Sequence, residues 1–216
     1  MLDQTERSAF DARFAALWSV DATAVIPQAA RHAVSVTEMK SGGMLRIGVE
    51  VFVVTKTATN TEMDDKFKKK KDYVVTELVL FSLQTGETRY LEWVVDDGVE
   101  ISLTERKLSQ KEISQRLTYD DGEVIDIDDI DEIAEKKWEI VFQGKTYDYD
   151  DDWPAQYQSS DGRVSMVYFY EFGDAKTGWL TVEAWSSDGK ESGAWEYEVY
   201  VSRDLSPSQI EVLVTG

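Results

Sequence analysis

The chain contains no cysteine, one histidine and three prolines in 216 residues. The missing cysteine excludes disulfides, thiol nucleophiles and cysteine-based metal sites, and it suits a cytoplasmic location. Without cysteine or a second histidine, His32 cannot complete a usual zinc site or a serine triad. Gly-x-Ser-x-Gly, Walker and Gly-x-Gly-x-x-Gly motifs are also missing. We therefore predict no cofactor.

Basic residues are scarce, with 23 Lys and Arg against 42 Asp and Glu, which gives a net charge of −19. A charge of this sign opposes binding of the protein body to nucleic acid or to anionic lipid. No apolar run approaches the roughly 18 residues that a membrane-spanning helix needs. Residues 1–7 also lack the basic and apolar regions of a signal peptide. The sequence predicts a soluble, cytoplasmic protein without a transmembrane segment.

Hydrophobic residues make up 42% of the chain, which is typical of a globular protein. Residues 6–20 predict an amphipathic helix, because Phe10, Phe14, Leu17 and Trp18 recur at helical spacing. We expect this helix to cover an open end or an edge of the β structure that follows. The helix and its lead-in occupy residues 1–43.

From Met44 onward the sequence is rich in Val, Phe, Tyr, Trp and Thr, with turn signals such as Asp97-Gly98 between the runs. The predicted strands are 45–55, 73–83, 88–95, 99–103, 138–142, 145–149, 164–172, 179–186, 195–202 and 210–215. Strands at this spacing, without alternating long helices, indicate mainly antiparallel sheets. The predicted fold is therefore mainly β, closed as a barrel or stacked as a sandwich, with an N-terminal helix and short capped helical turns.

Motifs recur in the β region in the same order, with offsets near 95 residues, which predicts an internal duplication. Each half ends in a capping box, Ser109 to Glu112 in the first and Ser206 to Gln209 in the second. We predict a first β repeat at 44–119, an acidic linker at 120–137 and a second β repeat at 138–216. The halves should superpose, with Gly48 matching Gly144 and Trp93 lying near the equivalent of Trp185.

Two acidic runs raise the question of a metal site. In 126–133, isoleucines at every third position predict a short helical stretch with its carboxylates in water. Asp148, Asp150 and Asp152 are spaced like the first ligands of an EF-hand. Trp153, however, stands where that motif requires glycine, and a strand precedes the run. We predict no metal and retain these three aspartates as weak candidates.

Residues 66–71 form the only basic cluster, placed in a predicted long hairpin loop between Thr57 and Asp72. Lys68, Lys69, Lys70 and Lys71 are candidates for binding an acidic partner or membrane surface. The favoured interpretation is a mobile loop whose lysines keep a strand pair soluble.

Several aromatic residues could line a groove for a sugar or a peptide. Because they lie inside the repeated strands, packing in the core is the favoured interpretation for most of them. The set is Trp93, Trp179, Trp185, Trp195, Tyr197 and Tyr200. A glycosidase-like pair of carboxylates is also conceivable, but so many carboxylates are present that no pair stands out.

Residues 73–78, 90–93 and 96–98, and their counterparts 167–171 and 179–183, resemble the bacterial family called domain of unknown function 4178. The resemblance covers 44–119 and 138–216 and implies two tandem copies. The family has no established activity, so the resemblance assigns no catalytic residue. Its members tend to occur near genes for small membrane proteins and envelope-stress proteins. The resemblance thereby implies an accessory role, linked to envelope or membrane-stress systems.

We expect a non-enzymatic interaction or accessory module that binds a still unknown protein partner. The alternatives are a carboxylate-based or metal-assisted hydrolase and a β module that binds a sugar or a peptide. A deep pocket with two or more carboxylates of strongly perturbed pKa would favour the enzyme.

Overall fold

The computed structural model describes residues 4–174, 178–186 and 194–216, and these residues form a mainly β fold. Three α-helices accompany the strands: α1 (Gln4–Trp18), α2 (Gln110–Arg116) and α3 (Ile130–Lys136). Single 3-10 turns occur at Ala22–Ala24, Gln28–Ala30, Val36–Glu38, Ile127–Asp129 and Pro207–Gln209. The predicted fold class and the N-terminal helix are confirmed.

The strands of the first half are β1 (Met44–Ile47), β2 (Glu50–Met63), β3 (Lys70–Ser82), β4 (Thr88–Val95), β5 (Val99–Lys107) and β6 (Leu117–Thr118). Those of the second half are β7 (Ile140–Phe142), β8 (Lys145–Ser159), β9 (Val164–Asp174), β10 (Gly178–Ser186), β11 (Trp195–Leu205) and β12 (Ile210–Val214). Neighbouring strands are antiparallel throughout.

The sheet closes on itself. Its strand order is β12-β1-β2-β3-β4-β5-β11-β10-β9-β8-β7-β6, and an additional pairing joins β2 to β8. This pairing runs from Ala58 opposite Ser159 to Glu62 opposite Ala155. Eight strands, β2 to β5 and β8 to β11, therefore form a closed ring. Because the ring is closed, the fold is a barrel rather than a sandwich. Strands β1, β12, β6 and β7 pair outside the ring.

The two halves place their elements in the same order. In each, a two-strand hairpin with a positive-φ glycine comes first, at Gly48 and at Gly144. The second strand of each half carries a register shift, at Thr55 in β2 and at Asp150 in β8. Each half then ends in a capped turn and a strand that pairs with the first strand of the other half. Asp188-Gly189 repeats the Asp97-Gly98 turn signal in the second half of the sequence, and it lies outside the described residues.

The prediction of a long loop between Thr57 and Asp72 is wrong. Strand β2 continues to Met63 and β3 begins at Lys70, so the loop spans only 64–69. Threonine at alternate positions favours extended backbone, and this stretch has a strand partner on both sides. Strand β8 is likewise longer than predicted, because its Asp-rich run and Pro154 are typical of loops. Pro154 lies just beyond the β2–β8 pairing, where its missing N–H breaks no bond of that ladder.

The two larger apolar cores lie outside the ring. Leu78 and Leu91 face outward into a cluster covered by the lead-in segment, β1 and β12. On the other side, Leu180 and Val199 face outward into a cluster covered by α2, α3 and the strands β6 and β7. In α3, Ile130 and Ile133 are fully buried, as the isoleucine spacing predicts. Most strands of the ring therefore pack apolar side chains outward and turn polar side chains into the interior, whereas β8 and β9 also direct apolar side chains inward.

Helix α1 forms as predicted, but its apolar face is not buried. Phe10, Phe14 and Trp18 stack on one another along the helix, and Trp18 is 80% exposed. The helix is held by Arg13, whose Nε and Nη2 donate to the carbonyl oxygens of Leu83 and Gln84 at 2.9 and 3.0 Å. No helix in the described ranges is long and apolar enough to cross a membrane.

Candidate functional site

The interior of the ring is a cavity of about 240 Å³ whose lining is rich in carboxylates. Side chains alternate between the two faces of a strand, so residues next to the outward-facing leucines point inward. The inward positions of five strands hold a glutamate each. We call Glu77, Glu92, Glu171, Glu183 and Glu198 the interior glutamates.

The strand register brings the interior glutamates together. Glu77 lies directly opposite Glu92 across β3 and β4, and Glu183 lies opposite Glu198 across β10 and β11. Like charges facing each other across a strand pair destabilise a sheet. Two such pairs in one interior indicate a local environment that opposes folding.

Burial and mutual repulsion raise the pKa of these carboxyl groups. For Glu77, removal from water is the main cause, and the neighbouring Glu92 adds to it. Burial likewise raises the pKa of Glu92, and burial with repulsion from Glu92 raises that of Glu171 to about 7. The pKa of Glu183 lies well above its ordinary value because of burial and the charges of Glu92 and Glu77. The interior therefore retains protons that ordinary glutamates would have lost at neutral pH.

Polar contacts orient two of the interior glutamates. The indole Nε1 of Trp185 donates to Glu183 Oε2 at 2.8 Å. The hydroxyl of Tyr200 donates to Glu198, and Lys107 Nζ lies 2.6 Å from Glu198 Oε1. The acceptor groups are thus held in place rather than free to turn away from the cavity.

Among the described residues that line the cavity, positive charge comes from Lys107 and Arg163, against the interior glutamates and Glu196. The Arg163 guanidinium lies over the ring of Trp185, 5.3 Å from its centroid. Lys107 is already paired with Glu198, as described above. When its carboxyl groups are ionised, the interior carries a clear excess of negative charge.

An apolar cluster forms another part of the interior. The rings of Trp153 and Phe169 stack with centroids 4.4 Å apart. Tyr157 meets Trp185 edge to face, with centroids 5.2 Å apart. Ala155 and Val167 complete this cluster. The cavity therefore combines a carboxylate-rich wall with an aromatic wall.

Asn60 of β2 adds an unsatisfied acceptor to the lining. Its side chain is only 2% exposed, and Oδ1 has no hydrogen-bond partner among the described residues. A buried amide oxygen without a donor is destabilising by about 1–3 kcal/mol. Its natural complement is an N–H or O–H donor inside the cavity.

Among the described residues, no group of three or more His, Asp or Glu side chains is arranged to hold an ion. Metal binding by the three candidate aspartates stays a prediction to be tested. Asp148, Asp150 and Asp152 all lie on β8. Asp152 accepts hydrogen bonds from the hydroxyls of Tyr149 and Tyr168, the latter at 2.6 Å. Its carboxylate is therefore engaged in packing β8 against β9.

The lysine cluster extends from the hairpin turn at 64–69 into the first two residues of β3, and this hairpin has internal anchors. Asp64 Oδ1 accepts from the backbone N–H groups of Lys68 and Lys69 at 2.6 and 3.1 Å. Lys71 Nζ lies 2.6 Å from Glu62 Oε1. Phe67 is buried and lies 6.4 Å from the Trp195 ring. Binding of a partner by Lys68, Lys69, Lys70 and Lys71 stays a prediction.

The six candidate aromatic residues lie in three different surroundings. Trp185 and Tyr200 line the cavity. Trp93 is buried in an outer core, and Trp195 and Tyr197 pack against the other one. Trp179 Nε1 donates to Asp204 Oδ1 at 2.8 Å. Packing in a core therefore accounts for three of the six, but not for the two that reach the interior.

Sequence reasoning did not single out the interior glutamates. A signal was present, because Glu92, Glu171, Glu183 and Glu198 each stand between apolar or aromatic neighbours in a strand. In most antiparallel sheets such alternation marks a face in water. Here the same alternation places the carboxylates inside the ring.

The chain matches a family model described as "Domain of unknown function (DUF4178)" over residues 40–207, in one stretch that includes most of both β halves. No curated protein and no solved structure gives a significant match. The match spans well over half of the chain, from the end of the lead-in to the turn before β12. The chain therefore belongs to the family of domain of unknown function 4178.

Proposed function

We propose that this protein is a non-enzymatic binding module and that its site is the interior of the ring. The observation that carries the proposal is the cavity itself, which is lined by the interior glutamates and by the unpartnered Asn60 Oδ1. An eight-stranded barrel is just wide enough to be filled by side chains or to hold one small ligand. Here the side chains leave space and offer acceptors.

The unfavourable energy of the interior glutamates also supports a binding site in the ring. Buried carboxylates that face each other are destabilising, and apolar residues of similar volume would often make the protein more stable. Binding sites commonly hold such unfavourable groups because function requires them. A ligand that satisfies them would return the lost stability on binding.

The cavity meets the condition stated above for the hydrolase alternative, since it contains several carboxyl groups of raised pKa. Acid–base catalysis by two carboxyl groups, however, needs environments that push their pKa values apart. The four shifts resolved among the interior glutamates all run in one direction. This pattern supports binding over general acid–base chemistry.

A thermal-shift screen of the full chain tests the proposal, using separate sets of cationic, neutral and anionic small metabolites. We expect at least one set to raise the melting temperature. Thr181→Phe, which places a ring in the cavity, should abolish that rise, whereas Thr88→Phe on the exposed start of β4 should keep it. Equal responses by the two variants, or no response to any set, would refute an interior binding site.

The hydrolase predicts a different result. Chromogenic glycosides and esters should then be turned over by the parent protein, and Glu92→Gln should abolish the turnover.

We also propose that the two β halves, 44–119 and 138–216, arose by duplication and are joined by the acidic segment 120–137. The matching hairpin glycines, register shifts and capping boxes support this origin. One family match extends over both halves, so the family model corresponds to the pair of repeats that together form one ring.

A bacterial origin, a cytoplasmic location and a link to envelope systems remain proposals that rest on the family resemblance and the composition. Cell fractionation with an antibody to the full chain, together with affinity capture, tests the last two. Recovery with the outer envelope fraction or in the medium would contradict the proposed location.

A further inference from the structure

Resting on the interior binding site proposed above, we infer that its ligand is a short linear polyamine, bound through ammonium groups by the interior glutamates and Asn60. The ligand class follows from the type, placement and shape of the groups that line the cavity.

The cavity lining offers hydrogen-bond acceptors in particular. The unpartnered atom of Asn60 is an acceptor, and every ionised carboxylate is an acceptor only. A ligand that satisfies both must bring donors, and an ammonium group brings three N–H donors with a positive charge. Anionic ligands would add like charge to this interior, and neutral ligands would leave its carboxylates uncompensated.

The placement of acceptors indicates more than one donor. Ala58 lies opposite Glu77, and Asn60 is the next inward position along β2. Two residues of strand separate these levels by about 7 Å. A chain with an amine at each end can contact acceptors at both levels.

The walls favour an organic cation over a metal ion. No described group of three or more acidic or histidine side chains is arranged to hold a metal. Trp153, Tyr157 and Phe169 instead offer aromatic surface for methylene groups and for cation–π contact. The volume of about 240 Å³ corresponds to roughly eight water molecules, which suits a small aliphatic chain.

Binding should be linked to proton release. The described carboxyl groups facing the site are Glu77 on β3, Glu92 on β4, Glu171 on β9, Glu183 on β10, and Glu196 and Glu198 on β11. Tyr90, Tyr157 and Tyr200 add hydroxyl groups, and the cations are Lys107, Arg163 and, acting on Glu77, Lys56. An ammonium group favours the ionised carboxylates, so bound ligand should expel protons. Affinity should therefore increase as the pH is raised from about 6 to 8.

Isothermal titration calorimetry on the full chain at physiological salt tests the inference, with putrescine and spermidine as probes and n-butylamine as the single-ammonium control. We expect one bound polyamine per chain. Binding of n-butylamine should be weaker by about tenfold or more, since one charged contact of about 1.4 kcal/mol is missing. Titrations in buffers of different ionisation enthalpy should show proton release.

Variants separate the site from general attraction to an acidic protein. Glu77→Gln with Glu183→Gln should weaken putrescine binding at least about tenfold, and Asn60→Leu should weaken it as well. The matched control, Glu123→Gln with Glu135→Gln, removes the same charge from exposed positions and should leave binding unchanged. Circular dichroism and melting curves verify that each variant is folded.

Three results would overturn the inference. Equal losses in the interior and control variants would mean nonspecific charge attraction. Equal affinity for n-butylamine and putrescine would exclude a two-ended ligand. A melting-temperature rise with neutral or anionic metabolites but not with polyamines would keep the interior binding site and reject this ligand class.

Discussion

At the scale of single residues, the interior glutamates are the least expected feature of the protein. A carboxyl group whose pKa is raised by folding binds its proton more tightly in the native state than in the unfolded chain. Its contribution to stability is fully present below the unfolded pKa, near 4.5, and is lost as the pH rises through the folded value. For Glu171 this window runs from 4.5 to about 7.

Glu77→Gln tests the energetic role of one interior glutamate. We expect the variant to be more stable than the parent at pH 8, by roughly 1–3 kcal/mol, because a buried carboxyl group that resists ionisation is replaced by a neutral amide. The advantage should shrink toward zero below pH 4.5. Urea unfolding of both proteins between pH 4 and 8 measures it.

The control for this measurement is Glu123→Gln, which removes the same charge from an exposed position. It corrects for the relief of general repulsion in a chain of net charge −19. If both variants gain the same stability at pH 8, burial of Glu77 has no energetic consequence of its own.

At the scale of elements, the capping boxes are the clearest local devices shared by the two halves. The Ser109 N–H donates to Glu112 Oε2 at 3.1 Å, and the Ser206 N–H donates to Gln209 Oε1 at 2.8 Å. Each box sets the direction of the chain just before a strand that pairs with the other half. Because the two capping boxes lie at corresponding points, the two connections to the other half run alike.

Ser109→Ala and Ser206→Ala should each lower the free energy of unfolding by about 1 kcal/mol, since each removes the side-chain acceptor of its cap. Chemical denaturation of the two variants measures the loss. Ser114→Ala, at an exposed position inside α2, serves as control and should be neutral or slightly stabilising. A loss confined to one of the two caps would argue against their equivalence.

In the hairpin that contains the turn at 64–69, the contribution of the buried Phe67 to stability can be measured separately from that of the lysines. Replacing Lys68, Lys69, Lys70 and Lys71 by Ser should change stability by no more than about 0.5 kcal/mol, because their contacts are exposed. Phe67→Ala should lower stability by at least about 1 kcal/mol, since it removes a buried ring beside Trp195. Thermal and urea unfolding measure both.

A partner site in this turn predicts a further effect. The lysine-free variant would then fold normally yet lose salt-sensitive capture of anionic vesicles or of an acidic protein. Equal capture by parent and variant would exclude that role for the four lysines.

At the scale of the whole molecule, the charge of −19 governs the response to salt. Calcium or magnesium at millimolar concentration should shift the melting temperature no more than sodium does at equal ionic strength, because only screening is at work. Differential scanning calorimetry provides the comparison. A rise specific to a divalent ion, and abolished by Asp148→Asn with Asp150→Asn, would establish a metal site on β8.

The ring also explains how an acidic protein contains two apolar cores. The outer faces of the strands pack against the lead-in segment on one side and against α2 and α3 on the other. The ring is stabilised from outside, so its interior is free to hold polar groups. This division of labour allows a binding site to coexist with marginal stability.

The sequence by itself determined the strand-forming segments, the capped turns, the hairpin at Asp97-Gly98 and the set of residues that share a face. These features depend on local backbone preferences and on the two-residue period of a strand. It could therefore be predicted that Leu78, Leu80 and Leu91 share one face of the sheet and that Glu77 and Glu92 share the other.

Only the tertiary structure decided which of the two faces is the inside. That choice depends on closure through β2 and β8, where 58–62 pairs with 155–159. Both stretches are rich in polar residues and lie beyond the strands predicted from the sequence. Because ring closure joins residues about one hundred positions apart, no local pattern can encode it. The same alternation that would place Glu77 in water in an open sheet places it in the cavity of a closed ring.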